Sequence, residues 1–454
     1  MGVVEKICSY RPFYVRNLKI AIPAMLSQLG QGIVMLADSM MVGMLGTNEL
    51  AAASFANAIV MIGFLFVLGV TFGATPMVGR QYSGGKYARA ASLFQNSMLL
   101  DLLVALLVCA ILWVVSFYFD RMGQEPEVCR LARPYYFWLV ISLPPVFLFQ
   151  AFKQFMEGVG NTKIAMVITL VANALNILLN YLFIFGKFGF PNMGVEGAGV
   201  ATFVARMSMP LMFYAVFVYR RSLFRYFRFF KVKVFSLSEL YGLGKMGFPI
   251  GFQMLVESST FSLSAVIVGW FGAVSLASHQ VAMNLSSLTF MIVSGISAAT
   301  TIRVSHQLGM GDYVSMRKAG FASMHLCVFE NFICSLLLIL FRYEIPLFFT
   351  SDPLVIDLSA TLLVMAAVYQ LADGLQVVAL GALRGMGDVE GPMRVSVICY
   401  VLVSLPVAYV CGVLWQWGAV GVWMGFIVSL NLAAFLLIKR FLKVSDDIIR
   451  SHEK

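Results

Sequence analysis

Residues 35–46, MLADSMMVGMLG, come back 226 positions later (269 − 43) as residues 261–272, FSLSAVIVGWFG, with Gly43 over Gly269 and Gly46 over Gly272. The register holds without a gap over a long stretch. Pro23 falls on Pro249, Ala51 on Ala277, Gly69 on Gly295, Thr75 on Thr301, Gln81 on Gln307, Gly85 on Gly311 and Tyr87 on Tyr313. A shift of one more position lays Gly158, Gly160 and Asn161 on Gly385, Gly387 and Asp388. The acids break the pattern: Asp38 lands on Ser264, and Glu257 lands on Gln31. A duplicated scaffold whose ionisable residues are not duplicated is the pattern expected of an internal-repeat membrane protein with one asymmetric site.

Composition decides the solvent. Of 454 residues, 60% are hydrophobic and 12% charged, against about 25% charged in a soluble domain. The chain therefore reads as a polytopic membrane protein. Its seven cysteines (Cys8, Cys109, Cys129, Cys327, Cys334, Cys399, Cys411) are scattered without a CxxC pair and read as small apolar fillers. The opening, MGVVEKICSYRPFYVRNLKIAIPAMLSQ, has basic flanks and an apolar run that continues to spanning length. It has no small-residue cleavage site, so it reads as a first helix rather than a removed signal.

Apolar runs of about 20 residues, enough to cross a bilayer, lie near 14–40, 52–75, 93–118, 133–155, 163–186 and 194–218. A second set lies near 242–270, 277–300, 317–341, 357–382, 392–414 and 418–441. Twelve helices in two six-helix repeats follow. An even number per repeat relates the two by an axis along the membrane normal. The expected domains are a first lobe over 1–218, a basic linker over 219–241, a second lobe over 242–441 and a tail over 442–454.

Lysine and arginine orient the chain. One set of connections carries Arg11, Arg16, Lys19, Arg80, Lys86, Arg89, Lys153 and Lys163. It continues with Arg303, Arg317, Lys318, Arg384, Arg394, Lys439, Arg440 and Lys443. The opposite set holds few, mainly Arg121, Arg130, Arg133, Lys187 and Arg342, mixed with Glu125, Glu127, Glu344 and Asp352. Both termini are therefore expected on the cytoplasmic side of an inner membrane. Topology accounts for the net charge of +10, and nucleic-acid binding is not needed. The linker interleaves Arg and Phe, as either an ordinary inside loop or a lipid-surface segment would.

Charges left inside spans need a reason, since each costs about 2.5–3.5 kcal/mol on insertion scales. Asp38 sits late in the first run, with Gln31 and Gln28 earlier on roughly the same face. The seventh run carries Gln253, Glu257, Thr260 and Ser264 as one stripe, and the eighth adds Gln280, Asn284 and Ser287. The fifth run has Asn173, Asn176 and Asn180, and the tenth places Tyr369 one turn before Asp373. Neutral residues of this kind serve as interhelical glue. Carboxylates are poor glue, and Arg206 is the main basic residue within a span. Glu257, Asp373 and Tyr369 are thus candidates to share one cation, and Asp38 with Asn176 and Asn180 to form a separate polar pocket. Asp101, Glu157, Glu196 and Glu330 are weaker candidates.

Absences narrow the class. No GxxxxGK[ST] loop exists for ATP, no HExxH and no Ser/His/Asp set. The four histidines, His279, His306, His325 and His452, are not spaced to hold a metal. An enzyme is not expected.

The twelve spans, "MLADSMMVGMLG" around Asp38 and "PMVGRQYSGG" after the second run resemble the multidrug and toxic compound extrusion (MATE) family. "FQMLVESSTFSLSAVIVGWFG", "ASHQVAMN" and "VYQLADGLQVVALGALRGMGD" are similar to its NorM branch. The resemblance covers essentially the whole chain. It implies a V-shaped pair of bundles and an antiporter that expels hydrophobic, often cationic drugs and confers antibiotic resistance. It implies sodium or protons as the coupling ion, no other cofactor and no obligate protein partner. It assigns Glu257, Tyr369 and Asp373 to a cation site, with Glu257 and Asp373 as sodium ligands. It assigns Asp38, Asn176 and Asn180 to coupling or substrate binding; Gln253, Gln280 and Asn284 extend the polar lining. Aromatic residues at 14% and 27 Met suit a pliable wall for varied apolar cations. A lipid-linked sugar flippase of the same superfamily is the alternative, but such a protein needs Arg and Lys in its spans to hold pyrophosphate.

Overall fold

The computed structural model describes residues 3–230 and 235–452. Lys231 to Val234 of the expected linker and the side chain of Cys8 lie outside the described residues. Among the described residues, twelve helices are long and apolar enough to cross a membrane. They are α1 (Tyr10–Gly43), α2 (Thr47–Ser83), α3 (Tyr87–Ser116), α4 (Pro126–Gly158), α5 (Thr162–Phe185) and α6 (Gly194–Tyr219). The second set is α7 (Leu237–Gly269), α8 (Ala273–Met310), α9 (Tyr313–Leu340), α10 (Pro353–Met386), α11 (Glu390–Leu414) and α12 (Gly418–His452). The chain is an all-α, multi-pass integral membrane protein, as its hydrophobic runs require: backbone groups in lipid must be satisfied within the segment.

Several helices overrun the hydrocarbon. α8 has 38 residues and α10 has 34, well past the ~20 that a bilayer needs. Lys153, Arg303 and Arg384, expected in connections, consequently lie inside α4, α8 and α10, the first two buried and Arg384 half-buried. α12 likewise continues to His452. There Asp446 pairs with Arg317, and the His452 ring lies 4.2 Å from that of Tyr313.

Packing divides the chain into two compact units. The first is Leu26–Gly251; the second is Met1–Met25 with Phe252–Lys454. The expected lobes follow the repeats, whereas these units exchange the leading portions of α1 and α7. Asn17 of α1 donates hydrogen bonds to Ala319 O at 3.1 Å and Ser323 Oγ at 2.8 Å, inside the second unit. In the first unit, Ser92 and Asn96 of α3 donate to Glu239 at the start of α7, at 2.6 and 2.9 Å.

The repeat is visible in individual contacts. Thr75 Oγ1 donates to Gln154 O at 3.2 Å, and Thr301 Oγ1 to Gly381 O at 2.9 Å. A Cβ on Gly158 would meet Val78 Cγ1 at 2.8 Å, and one on Gly385 would meet Val304 Cβ at 2.8 Å. Small residues at these crossings let helices approach without a hydrophobic drive between them.

The first unit is packed with aromatics: Phe94 stacks on Phe155 at 4.3 Å and meets Phe152 edge-on at 5.1 Å. The linker helix Arg221–Arg228 docks here by Leu223 and Tyr226, with Phe227 5.1 Å from Phe217. Its Arg221, Phe224 and Arg228 face outward.

Candidate functional site

In the first unit, late α1, α5 and α6 bring the expected polar residues together. Asn180 Nδ2 donates to Asp38 Oδ1 and also lies 3.2 Å from Asn176 Oδ1. Asn176 Nδ2 in turn lies 3.5 Å from Thr202 Oγ1 on α6. The four-residue spacing of the two asparagines puts both on one face of α5, and both are buried while Asp38 is half-buried. Nearby, Arg206 donates to Ser142 Oγ at 2.7 Å and lies 5.6 Å above the Phe64 ring. It remains within electrostatic range of Asp38 and Tyr135. Asp38 is therefore a carboxylate held by one amide, with a cation in its neighbourhood but not salt-bridged to it. Gln31, on the same helix, is exposed.

The second unit holds the other cluster. Glu257 Oε1 accepts from Gln253 Nε2 at 2.9 Å and from Ser396 Oγ of α11 at 3.1 Å. Gln253 Oε1 faces Arg384 Nη2 at 3.4 Å, and Arg384 feels the Glu257 charge. Asp373 feels the Glu257 carboxylate as well. Tyr369, expected to serve Asp373 directly, points its hydroxyl at Ser286 Oγ of α8, 2.9 Å away. The Tyr369 ring sits 5.8 Å from Trp423. Gln376 donates to Tyr400 OH at 2.5 Å. Tyr400 belongs to a π-helical stretch, Val397–Ser404, a distortion that recurs at functional sites.

Other expected residues stand apart. Gln280 and Asn284 hydrogen-bond to each other at 3.2 Å on α8, and among the described residues neither is bonded to Glu257 or Asp373. His279 accepts from Trp423 Nε1 at 3.0 Å in the core. Glu157 lies 4.0 Å from Lys153 one turn away, and Glu196 accepts from Trp138 Nε1 at 3.2 Å. Asp101 is buried with one oxygen unpartnered.

Sequence reasoning missed Ser396, Ser286, Thr202 and Arg384. Single hydroxyls carry no periodic signal, and Arg384 counted as a connection residue because α10 outruns its apolar core. Together the two clusters offer carboxylates and amide oxygens. That donor set suits a hard monovalent cation or a proton more than a soft metal.

Comparisons with known proteins bear on the family and the fold. The model of the MatE family matches residues 23–182 and again 249–410, once per repeat. The chain is 34% identical to the multidrug resistance protein NorM of Photobacterium profundum, over 95% of this chain and 96% of that one. It is 34% identical to NorM of Vibrio cholerae, over 95% and 96%. Among solved structures, an outward-facing multidrug resistance MATE family transporter superposes with a TM-score of 0.87 at 21% identity, covering 97% of both chains. A eukaryotic MATE transporter gives 0.85 at 19% identity, covering 97% of this chain and 99% of that one. The chain belongs to the MATE family, on its NorM-like branch.

Proposed function

We propose that this protein is a cation-coupled antiporter that exports hydrophobic, often cationic drugs and toxic compounds by alternating access. The observation that carries the reading is a pair of separate carboxylate–amide clusters, Asp38 with Asn180 and Glu257 with Gln253, inside an otherwise apolar helical membrane protein. Intramembrane acids default to ion or proton sites, and the relatives' names as multidrug resistance proteins supply the cargo class. Each cluster has a neighbouring arginine, Arg206 or Arg384, whose charge tempers that of the acid.

Coupling follows from population arithmetic. A ligand shifts a two-state equilibrium only by its differential affinity for the states. A sodium ion or proton arriving from outside neutralises Glu257 and Asp373. It favours the state that holds the drug weakly, and the drug favours the other. Asp38 supplies negative charge for the drug cation, or the proton switch that releases it. Location in the inner membrane with both termini cytoplasmic fits the Lys/Arg bias of one set of connections. The protein works alone, on small molecules in lipid, and performs no covalent chemistry. The lipid-linked sugar flippase reading is not favoured, because the two arginines near the clusters, Arg206 and Arg384, are half-buried and engage Ser142 and Gln253 beside the acids rather than forming a cationic lining for pyrophosphate.

The test is ethidium flux in proteoliposomes of the full chain, with sodium and pH gradients imposed separately. Uphill export driven by either gradient supports the reading; export that follows neither defeats it.

A further inference from the structure

The seam between α9 and α10, next to Asp373, holds polar groups that the clusters above do not use. Gln370, Asp373 and Gly374 share one face of α10 at spacings of three and four. Cys327, Glu330, Asn331 and Cys334 share one face of α9 at spacings of three, four and seven. The two faces meet. A Cβ on Gly374 would collide with Asn331 Nδ2 and would lie 2.7 Å from Cys327 Sγ. Two turns earlier on α10, Ala367 O accepts from Ser335 Oγ at 2.9 Å. Gln370 therefore sits between these two crossings, at the level of Asn331 and Cys334.

Four polar atoms at this seam are sealed from solvent and make no hydrogen bond among the described residues. They are Gln370 Nε2, Gln370 Oε1, Asn331 Oδ1 and Glu330 Oε2. Gln370 is 3% exposed and Asn331 is 0% exposed. Asn331 spends its amide nitrogen on Cys327 O and Sγ, both at 3.1 Å, which leaves its carbonyl oxygen free. Glu330 receives only the weak Cys334 thiol, at 3.1 Å. Buried polar groups in native proteins are nearly always satisfied, by protein or by a bound species. Cys327 lies within electrostatic range of both Glu330 and Asp373, so the two carboxylates flank one seam.

We propose that Glu330, Asn331 and Gln370 form a monovalent-cation subsite between α9 and α10 that communicates with Asp373. One carboxylate oxygen and two amide oxygens face the seam, and water completes the shell. The Gln370 amide nitrogen donates to that water. Glu330 is the acid by which the coupling cation, sodium or hydronium, reaches Asp373 from the α9 side. This inference rests on the reading of Asp373 as a coupling acid.

The test measures ethidium export by the full-length protein in proteoliposomes, with sodium and proton gradients in separate arms, for the parent, Glu330→Gln, Gln370→Leu and Asp373→Asn. Gln370→Leu removes no hydrogen bond, so a merely structural glutamine predicts an unchanged cation dependence and an equal or higher Tm. The subsite predicts that Glu330→Gln and Gln370→Leu each raise the half-saturating cation concentration about tenfold, within the usual range of site couplings, in whichever arm drives the parent. The half-saturating drug concentration stays fixed, and Glu330→Asp recovers part of the loss. An unchanged half-saturating cation concentration in either variant overturns the subsite. If Asp373→Asn abolishes uphill export while both seam variants match the parent, this inference alone falls. If Asp373→Asn still exports uphill, the reading of Asp373 falls and the subsite with it.

Discussion

Gly69 of α2 lies so close to Gly251 of α7 that a methyl group added at Gly69 would come within 2.7 Å of the Gly251 backbone nitrogen. The same contact recurs one repeat away. A methyl group on Gly295 would lie 2.5 Å from Met25 Cγ and 2.7 Å from Met25 N, and Met25 is the counterpart of Gly251 (251 − 226 = 25). Each leading helix thus packs its first portion against the second helix of the other repeat, which is why the compact units cut through α1 and α7.

Gly69→Ala should destabilise the protein by about 1–3 kcal/mol, the usual cost of overpacking, and lower Tm in detergent. Gly295→Ala should cost a similar amount, because two of the three atoms nearest the added methyl, Met25 N and Cα, are backbone. Equal Tm values for Gly69→Ala and the parent would falsify the close-packing account.

Glu257→Gln and Asp373→Asn keep shape and remove charge. Each should abolish gradient-driven efflux while the protein inserts and melts like the parent. In binding terms the loss should fall within about 5–150-fold in the coupling between cation and drug. Drug affinity measured with and without the cation reads that coupling directly. A variant that retains the parent's coupling factor removes its residue from the site.

The duplication and the twelve helices were legible in the sequence, as was the grouping of Asp38 with Asn176 and Asn180 and of Glu257 with Gln253. A glycine at a helix crossing needs the same residue type wherever the scaffold recurs, so Gly158 and Gly385 announce themselves. Stripes such as Asn176 and Asn180 are visible because helical periodicity puts them side by side. The exchange of α1 and α7 was not legible. Gly69 and Gly295 show that something approaches closely, but not which helix, since apolar surface in lipid is not partner-specific. Arg384 was hidden for a related reason: the apolar run ends before α10 does, and a cation past the run reads as loop. Tyr369 reads in the sequence as the partner of Asp373, and its bond to Ser286 depends on a helix that its own sequence neighbourhood does not reveal.

Tyr369→Phe and Ser286→Ala should act as one lesion, because each removes the same 2.9 Å hydrogen bond. Either alone should weaken cation affinity more than drug affinity, and the double variant should be little worse than the single ones. The double-mutant coupling should be about 0.5–1.5 kcal/mol. Strict additivity in cation affinity would mean that Tyr369 acts through its ring packing on Trp423 instead.

Asp38 is the acid of the first unit, and its only hydrogen-bond donor among the described residues is Asn180, which also reaches Asn176. With carboxylates inside both units, the transport path should carry negative potential and favour positively charged aromatic compounds. Cells overproducing the protein should therefore resist ethidium and gain little protection against anionic amphiphiles of similar size. Asp38→Asn should lose part of that resistance, since it removes the charge while leaving an oxygen to accept from Asn180. Asn180→Leu should lose more, because it unhooks Asp38 and leaves the Asn176 oxygen without its donor. Growth inhibition measured across a matched cation and anion series decides the matter. Equal protection against both charges, or rescue of a cell-wall sugar-export defect, would move the protein out of the drug-exporter class.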